Sequence, residues 1–218
     1  DLARALSELY IKRAKGDIPP VRRVLIETTG LADPVPILQA LMTDPALAAD
    51  IALDGVVTVV DAVNGAHTLD QYDEAVRQVA LADRLVVTKT DLADPAATGL
   101  PGRLRSLNPA APVLTALHGE IDPAALFDTR GPMAKSADAR AWLAAEALQD
   151  HRHDVNRHGA DIRSTTFARK DLVHAVALTL YLEILAEHCG ANLLRLKGLV
   201  NLAESPGRPA VIHGVQHV

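Results

Sequence analysis

Only one cysteine, Cys189, occurs among the 218 residues. No disulfide can therefore form within the chain, and a cytoplasmic location is the simplest expectation. No run approaches 18 consecutive apolar residues, so nothing reads as a membrane-spanning helix. An excess of one charge sign is also missing: 22 basic against 27 acidic residues leave a formal net charge of -5. That balance suits a soluble protein and offers no basic footprint for nucleic acid. The amino terminus, Asp1-Leu2-Ala3-Arg4, has neither an initiator methionine nor a signal-peptide hydrophobic region. The chain opens inside a helical pattern and stops inside a strand-like one, so both ends look cut. One further absence bears on function. The pattern G-x-x-x-x-G-K-[ST], which cradles nucleotide phosphates, occurs nowhere.

What is present is a chain that is 49% hydrophobic, enough for a substantial core and for more than one domain. Leu2, Leu6, Leu9 and Ile11 recur at roughly helical spacing, and Gly16-Asp17-Ile18-Pro19-Pro20 ends that helix. Residues 21–26 read as a short strand with Glu27 at its carboxyl end. Pro34 starts a helix through about Met42. Val56-Val57-Thr58-Val59-Val60 is continuous and β-branched, as in a central parallel strand buried on both faces, and Asp61 follows it. A helix over 69–81, a strand over 84–88, a broken helix near 94–107 and a short strand at Val113-Leu114-Thr115 complete the pattern. Alternating strands and helices predict an α/β domain with a parallel sheet, and ligands should lie beyond the carboxyl ends of its strands. The pattern changes after Phe127. The expected division is a first domain over 1–127, a linker with a short helix around Trp142 over 128–160, and a smaller α+β domain over 161–218. In the last, 162–167 is strand-like, 171–187 is an amphipathic helix, and two strands follow over 193–202 and 210–218. The stripe Leu172, Val176, Leu180 and Ile184 reads as core.

Two loops carry the candidate chemistry. In Glu27-Thr28-Thr29-Gly30 a carboxylate ends a strand, where it can accept a water bound to Mg²⁺. Gly30 then lets the backbone pass close to a terminal phosphate. The plainer reading is a carboxylate that organises a loop. In Thr88-Lys89-Thr90-Asp91 the aspartate can accept the ring N–H and exocyclic amino group of guanine as two parallel hydrogen bonds, a donor pair adenine lacks. The Lys89 stem can cover the flat base. Here the plainer reading is a strand terminus with a solvated charge and a helix cap.

These segments resemble the CobW family of P-loop GTPases, relatives of the nickel-enzyme maturation GTPases. The resemblance rests on Glu27-Thr28-Thr29-Gly30-Leu31-Ala32-Asp33-Pro34, on Leu53 through Ala62, on Ala82 through Leu92, and on Asn108-Pro109. In the second domain it rests on Leu194-Arg195-Leu196-Lys197-Gly198. It implies a P-loop GTPase-like domain, incomplete at its N-terminus because the phosphate loop and a Cys-x-Cys-Cys metal motif would lie upstream of Asp1. It also implies that Glu27 is the Mg²⁺-side glutamate, that Gly30 senses the γ-phosphate, and that Lys89 and Asp91 read guanine. Thr88 stands where the family has asparagine, and a hydroxyl cannot reproduce both sides of an amide. The expected function is a fragment of a GTP-binding and GTP-hydrolysing metallochaperone or metal-cofactor insertion protein. Its ligands would be GTP or GDP, Mg²⁺, and Zn²⁺ or Co²⁺. Expected partners are guanine nucleotide and a metal-acceptor protein, with no nucleic acid or membrane and with homo-oligomerisation left open. A non-catalytic interaction module that keeps the fold is the alternative.

The histidines give a weaker signal. His151 and His153 in the polar connector, with His158 nearby, can present imidazoles to Zn²⁺ or Co²⁺, although a solvated linker explains them more simply. His118, beside Gly119, follows the last strand of the first domain and could approach a nucleotide. Cys189 reads as packing.

Overall fold

The structure, a computed structural model, describes residues 2–48, 51–127, 162, 165, 167–169 and 171–215. Three parallel strands form the first sheet: β1 (Val57–Asp61), β2 (Arg84–Thr88) and β3 (Val113–Ala116), in that spatial order. The register pairs Asp61 with Thr88 and Thr88 with Ala116, so all three carboxyl ends reach one edge. Around the sheet lie α1 (Leu2–Lys15), α2 (Pro34–Thr43), α3 (Pro45–Ala48), α4 (Gly65–Gln71), α5 (Asp73–Leu81) and α6 (Leu100–Leu107). The second unit holds α7 (Ala175–Cys189) and the antiparallel pair β4 (Leu196–Val200) and β5 (Ala210–Gly214). The fold is thus an α/β domain with a parallel sheet and a smaller C-terminal α+β unit.

Local sequence accounts for most of these boundaries. Asp33 accepts from the Val35 amide at 3.0 Å and Pro34 occupies the first turn, so α2 starts with a side-chain cap and a proline that loses no bond. The helix expected over 69–81 is two helices, because Tyr72 adopts φ -131° and ψ 116° between them. Asp73 and Glu74 then sit in the first turn of α5, where carboxylates favour the helix dipole. Gly65 starts α4 against the sheet, and a Cβ there would stand 2.7 Å from Val60 Cγ1. The core under α4, α5 and α6 joins Val60, Leu69, Val76, Leu85, Leu100 and Leu104.

Three expectations are corrected. Residues 21–26 form no strand, and Val24, Leu25 and Ile26 are exposed. A strand needs a ladder partner, and β1, the nearest sheet edge, faces this segment across an open cleft. For the same reason β1 is not buried on both faces. Thr58 and Val60 are buried, but Val59 is 64% exposed. The central strand is β2, whose Leu85, Val86 and Val87 are all buried. Finally, the Leu172, Val176, Leu180 and Ile184 stripe is not core: all four are more than half exposed, and α7 buries no residue. Strand 162–167, the linker and the Trp142 helix fall mainly or wholly outside the described residues.

Contact between the two units is made at buried polar groups. The Asp83 carboxylate, 3% exposed, accepts from Arg195 Nη2 at 2.7 Å and from Lys197 Nζ. Its Oδ2 also accepts from the Val56 amide at 2.8 Å. Beside this cluster Val215, fully buried, packs with Val35, Leu38 and Leu81. Burial pushes the Lys197 ammonium down to about 8 and Arg195 to about 10, even with a carboxylate alongside. The folded pKa of Lys197 lies below its ordinary 10.5, so between about 8 and 10.5 the unfolded chain holds the extra proton. Stability should therefore rise with pH across that window. Thermal melts from pH 7.5 to 10 should show this rise, and Lys197→Met should flatten it. A second expectation concerns Asn108, which is 7% exposed and donates its amide to the carbonyls of Val79, Ala80 and Ala82. Asn108→Ala leaves those acceptors buried and should cost about 3 kcal/mol in urea unfolding.

Candidate functional site

The carboxyl ends of the three parallel strands bring Asp61, Lys89, Asp91 and His118 together. Asp61 closes β1 with a tight turn, its Oδ1 accepting from the amides of Val63 at 2.7 Å and Asn64 at 3.3 Å. Its Oδ2 meets Lys89 Nζ at 2.7 Å. Desolvation works to raise the Asp61 pKa, but the Lys89 ammonium and the turn amides outweigh it and hold the carboxyl below its usual value. Lys89 itself has φ 58°, a left-handed conformation that a lysine adopts only when its surroundings hold it there. The Leu92 amide closes the following turn on the Lys89 carbonyl at 3.1 Å.

Asp91 stands on this turn, about a third exposed, with His118 Nε2 3.7 Å from its carboxylate. His118 and Gly119 have φ 51° and 82°, and the Glu120 amide returns to the Leu117 carbonyl at 2.8 Å. That hairpin-like return lays the loop after β3 alongside the loop after β2. Thr88 contributes backbone more than hydroxyl. Its carbonyl takes the Ala62 amide at 2.9 Å, while Oγ1 reaches the Val60 carbonyl only at 3.5 Å. The result is a partly exposed Asp91 carboxylate with an imidazole 3.7 Å away, next to a lysine whose ammonium is held by Asp61.

Glu27 and Gly30 lie elsewhere, on the wall of a cleft of about 940 Å³ along the open side of β1. Glu27 is exposed, and a Cβ added at Gly30 would meet nothing within 4 Å. Gln78 holds this loop, its Nε2 donating to the carbonyls of Gly30 at 3.0 Å and Ala32 at 2.8 Å. Arg77 adds an ion pair to Asp33 at 2.7 Å. Sequence reasoning gave Gln78, Arg77 and Asp83 no role. Asp83 could have been noticed as a charge set just before the apolar Leu85-Val86-Val87 run of a strand. No local signal marks Gln78, because its partners are 46 and 48 residues away.

Among the described residues no group of three or more His, Cys, Asp or Glu side chains gathers as a metal site. His151, His153 and His158 lie outside the described residues. His213 is described, and its Nε2 lies 3.1 Å from Arg195 Nη2. Cys189, at the end of α7, is half-buried with a free thiol. No described helix is long and apolar enough to cross a membrane.

A family model for the CobW/HypB/UreG nucleotide-binding domain matches residues 1–115, and one for the cobalamin synthesis protein CobW C-terminal domain matches 162–218. The chain belongs to the CobW/HypB/UreG family. The match from residue 1 also corrects an expectation, namely that this domain lacks its N-terminal segment. Residues 1–115 are themselves matched as the nucleotide-binding domain, and α1 is built into it, with Leu6 only 5% exposed. The zinc chaperone YjiA of Escherichia coli is 33% identical over all of this chain, which spans 65% of that relative's length. The zinc chaperone CobW of Sinorhizobium sp is 30% identical over 85% of this chain, the aligned part being 57% of its own length. The crystal structure of Zn(II)-bound YjiA GTPase superposes over the whole chain with a TM-score of 0.70 at 30% identity, and 65% of that structure is covered.

Lys89 is the cation that holds Asp61 low, so Lys89→Met should raise the Asp61 pKa. A ¹³C carboxyl titration of the two proteins should show the higher midpoint in the variant.

Proposed function

We propose that this protein is a GTP-dependent metallochaperone in which the loop at Thr88, Lys89 and Asp91 binds the guanine base. The observation that carries this reading is the Asp91 carboxylate, held open at the end of the central strand by the left-handed turn at Lys89. There it can accept both guanine donors, N1–H and N2–H, while the Lys89 stem lies under the ring. His118 flanks the same edge. Glu27 and Thr28 supply hard oxygen donors of the kind Mg²⁺ takes, directly or through water, and would hold that ion on the phosphate side. Gly30, with no Cβ, leaves room for a terminal phosphate to approach the backbone. When bound, Mg²⁺ would neutralise charge on the transferring phosphate as water converts GTP to GDP and phosphate.

The cargo in this proposal is a borderline divalent metal. The names of the relatives from Escherichia coli and Sinorhizobium favour zinc over cobalt. His151 and His153 are its candidate ligands, and an acceptor protein would receive it. The division into 1–127, 128–160 and 161–218 belongs to the same proposal. A second reading, a non-catalytic interaction module, draws on the exposed Val176, Leu180 and Ile184 stripe of α7.

Nucleotide titration of the intact natural protein tests the first reading. GDP should bind at least about tenfold tighter than ADP, since two hydrogen bonds to a charged acceptor contribute about 1.5–3 kcal/mol each. Asp91→Ala should erase that preference. Equal affinity for GDP and ADP in the wild type overturns the reading.

A further inference from the structure

We propose that α5 mechanically couples the Gly30 loop to the C-terminal unit, with Gln78 as the positioning residue at one end and Asp83 as the anchor at the other. The last carbonyls of any α-helix have no partner within it and must find one outside. In α5 and the turn after it, five successive carbonyls are each taken by a side chain. Thr58 Oγ1 donates to Gln78 O at 2.7 Å. The Asn108 amide donates to the carbonyls of Val79, Ala80 and Ala82 at 2.8, 3.2 and 2.8 Å. Arg195 of the C-terminal unit donates to Leu81 O.

The same Arg195 grips the Asp83 carboxylate two residues on, together with Lys197. The C-terminal unit therefore supplies part of the cap of α5. Moving that unit away would uncap a helix carbonyl and strip both cations from a carboxylate that is only 3% exposed in the docked state. Water would have to replace every one of those bonds, and the charge-assisted ones are the costliest to lose. The helix end and the docking of the second unit rise and fall together.

At the other side of the same turn, α5 holds the loop. Gln78 bonds the carbonyls on either side of Leu31, and Arg77 pairs with Asp33, which caps α2. A shift of the 29–33 backbone must break these bonds or drag residues 77 and 78 with it. Between the two grips, Val79 and Leu81 are at most 1% exposed, so the turn cannot absorb the shift by bending into free space. Five residues thus connect a loop on the open cleft to an interdomain ion cluster, with side-chain bonds at every step. The meaning of the coupling for nucleotide sensing rests on the reading of Gly30 proposed above. The coupling itself does not.

Hydrogen exchange on the chain without nucleotide tests it, using Gln78→Met, Arg195→Gln and the double variant. Gln78→Met preserves length and helix propensity while removing both donors. It should raise exchange in peptides covering 27–35. Arg195→Gln should raise exchange at 78–85 and, across the helix, at 27–35 as well, by at least about fivefold. The double variant should exchange at 27–35 no faster than the faster single, the non-additivity that marks shared coupling. Lys197→Met, which removes only one cation from Asp83, serves if Arg195→Gln fails to fold, and should move 27–35 in the same direction. The proposal is overturned if the Arg195 or Lys197 variant loosens 194–214 while 27–35 keeps wild-type rates, or if the two effects simply add. Adding GDP and Mg²⁺ separates the two ideas. Unchanged exchange at 27–35 on GDP addition, with the variants still moving together, supports the coupling and removes the nucleotide role of the loop.

Discussion

A buried aspartate with two cations from another part of the chain is the constraint on which this structure depends. Asp83 stands at the entrance to β2, nearly sealed from solvent, between the Val56 amide and the side chains of Arg195 and Lys197. A lone carboxylate there would have to be protonated or exposed, since desolvating an unpaired charge costs several kcal/mol. Two cations face it, and burial pushes both Lys197 and Arg195 below their ordinary pKa values. The arrangement constrains how the C-terminal unit docks, because Lys197 on β4 and Arg195 just before it must both reach one carboxylate. Apolar contact follows the same placement, with Val215 seated on Val35, Leu38 and Leu81.

From that anchor β2 runs through the centre of the sheet to the loop that carries Lys89 and Asp91. The strand is flanked on both edges and covered on both faces, so its two ends are held in fixed relation. At the far end the strained Lys89 backbone is stabilised by its ion pair with Asp61, on the neighbouring strand. This is the usual division of labour in open α/β sheets, in which the strands are scaffold and the loops at their carboxyl ends are chemistry. The Gly30 loop is held differently. It belongs to no strand here, and side chains of α5 fix it in place of a ladder.

Much of this was legible in the residues themselves. Period and turn chemistry located β2, β3, α2 and α7 to within a few residues, because each is bounded by a local signal such as Asp33-Pro34 or Asn108-Pro109. The candidate chemical loops were legible for the same reason, since each follows an apolar run. Burial was less so. Val56 through Val60 is apolar whether or not a neighbour covers it, and the α7 stripe has helical spacing whether it meets a core or water. Periodicity reports which residues share a face and leaves open what that face meets.

The sequence by itself determined the element types, the α/β class and the residue chemistry at the strand ends, because these depend on neighbours a few positions apart. Only the tertiary structure decided that His118 stands beside Asp91, that Gln78 holds Gly30 and Ala32, and that Arg195 and Lys197 converge on Asp83. These partners lie between 27 and 114 residues apart. Nothing in a local pattern records such a distance. It is set when the strands take their order and the second unit docks with Arg195 and Lys197 on Asp83.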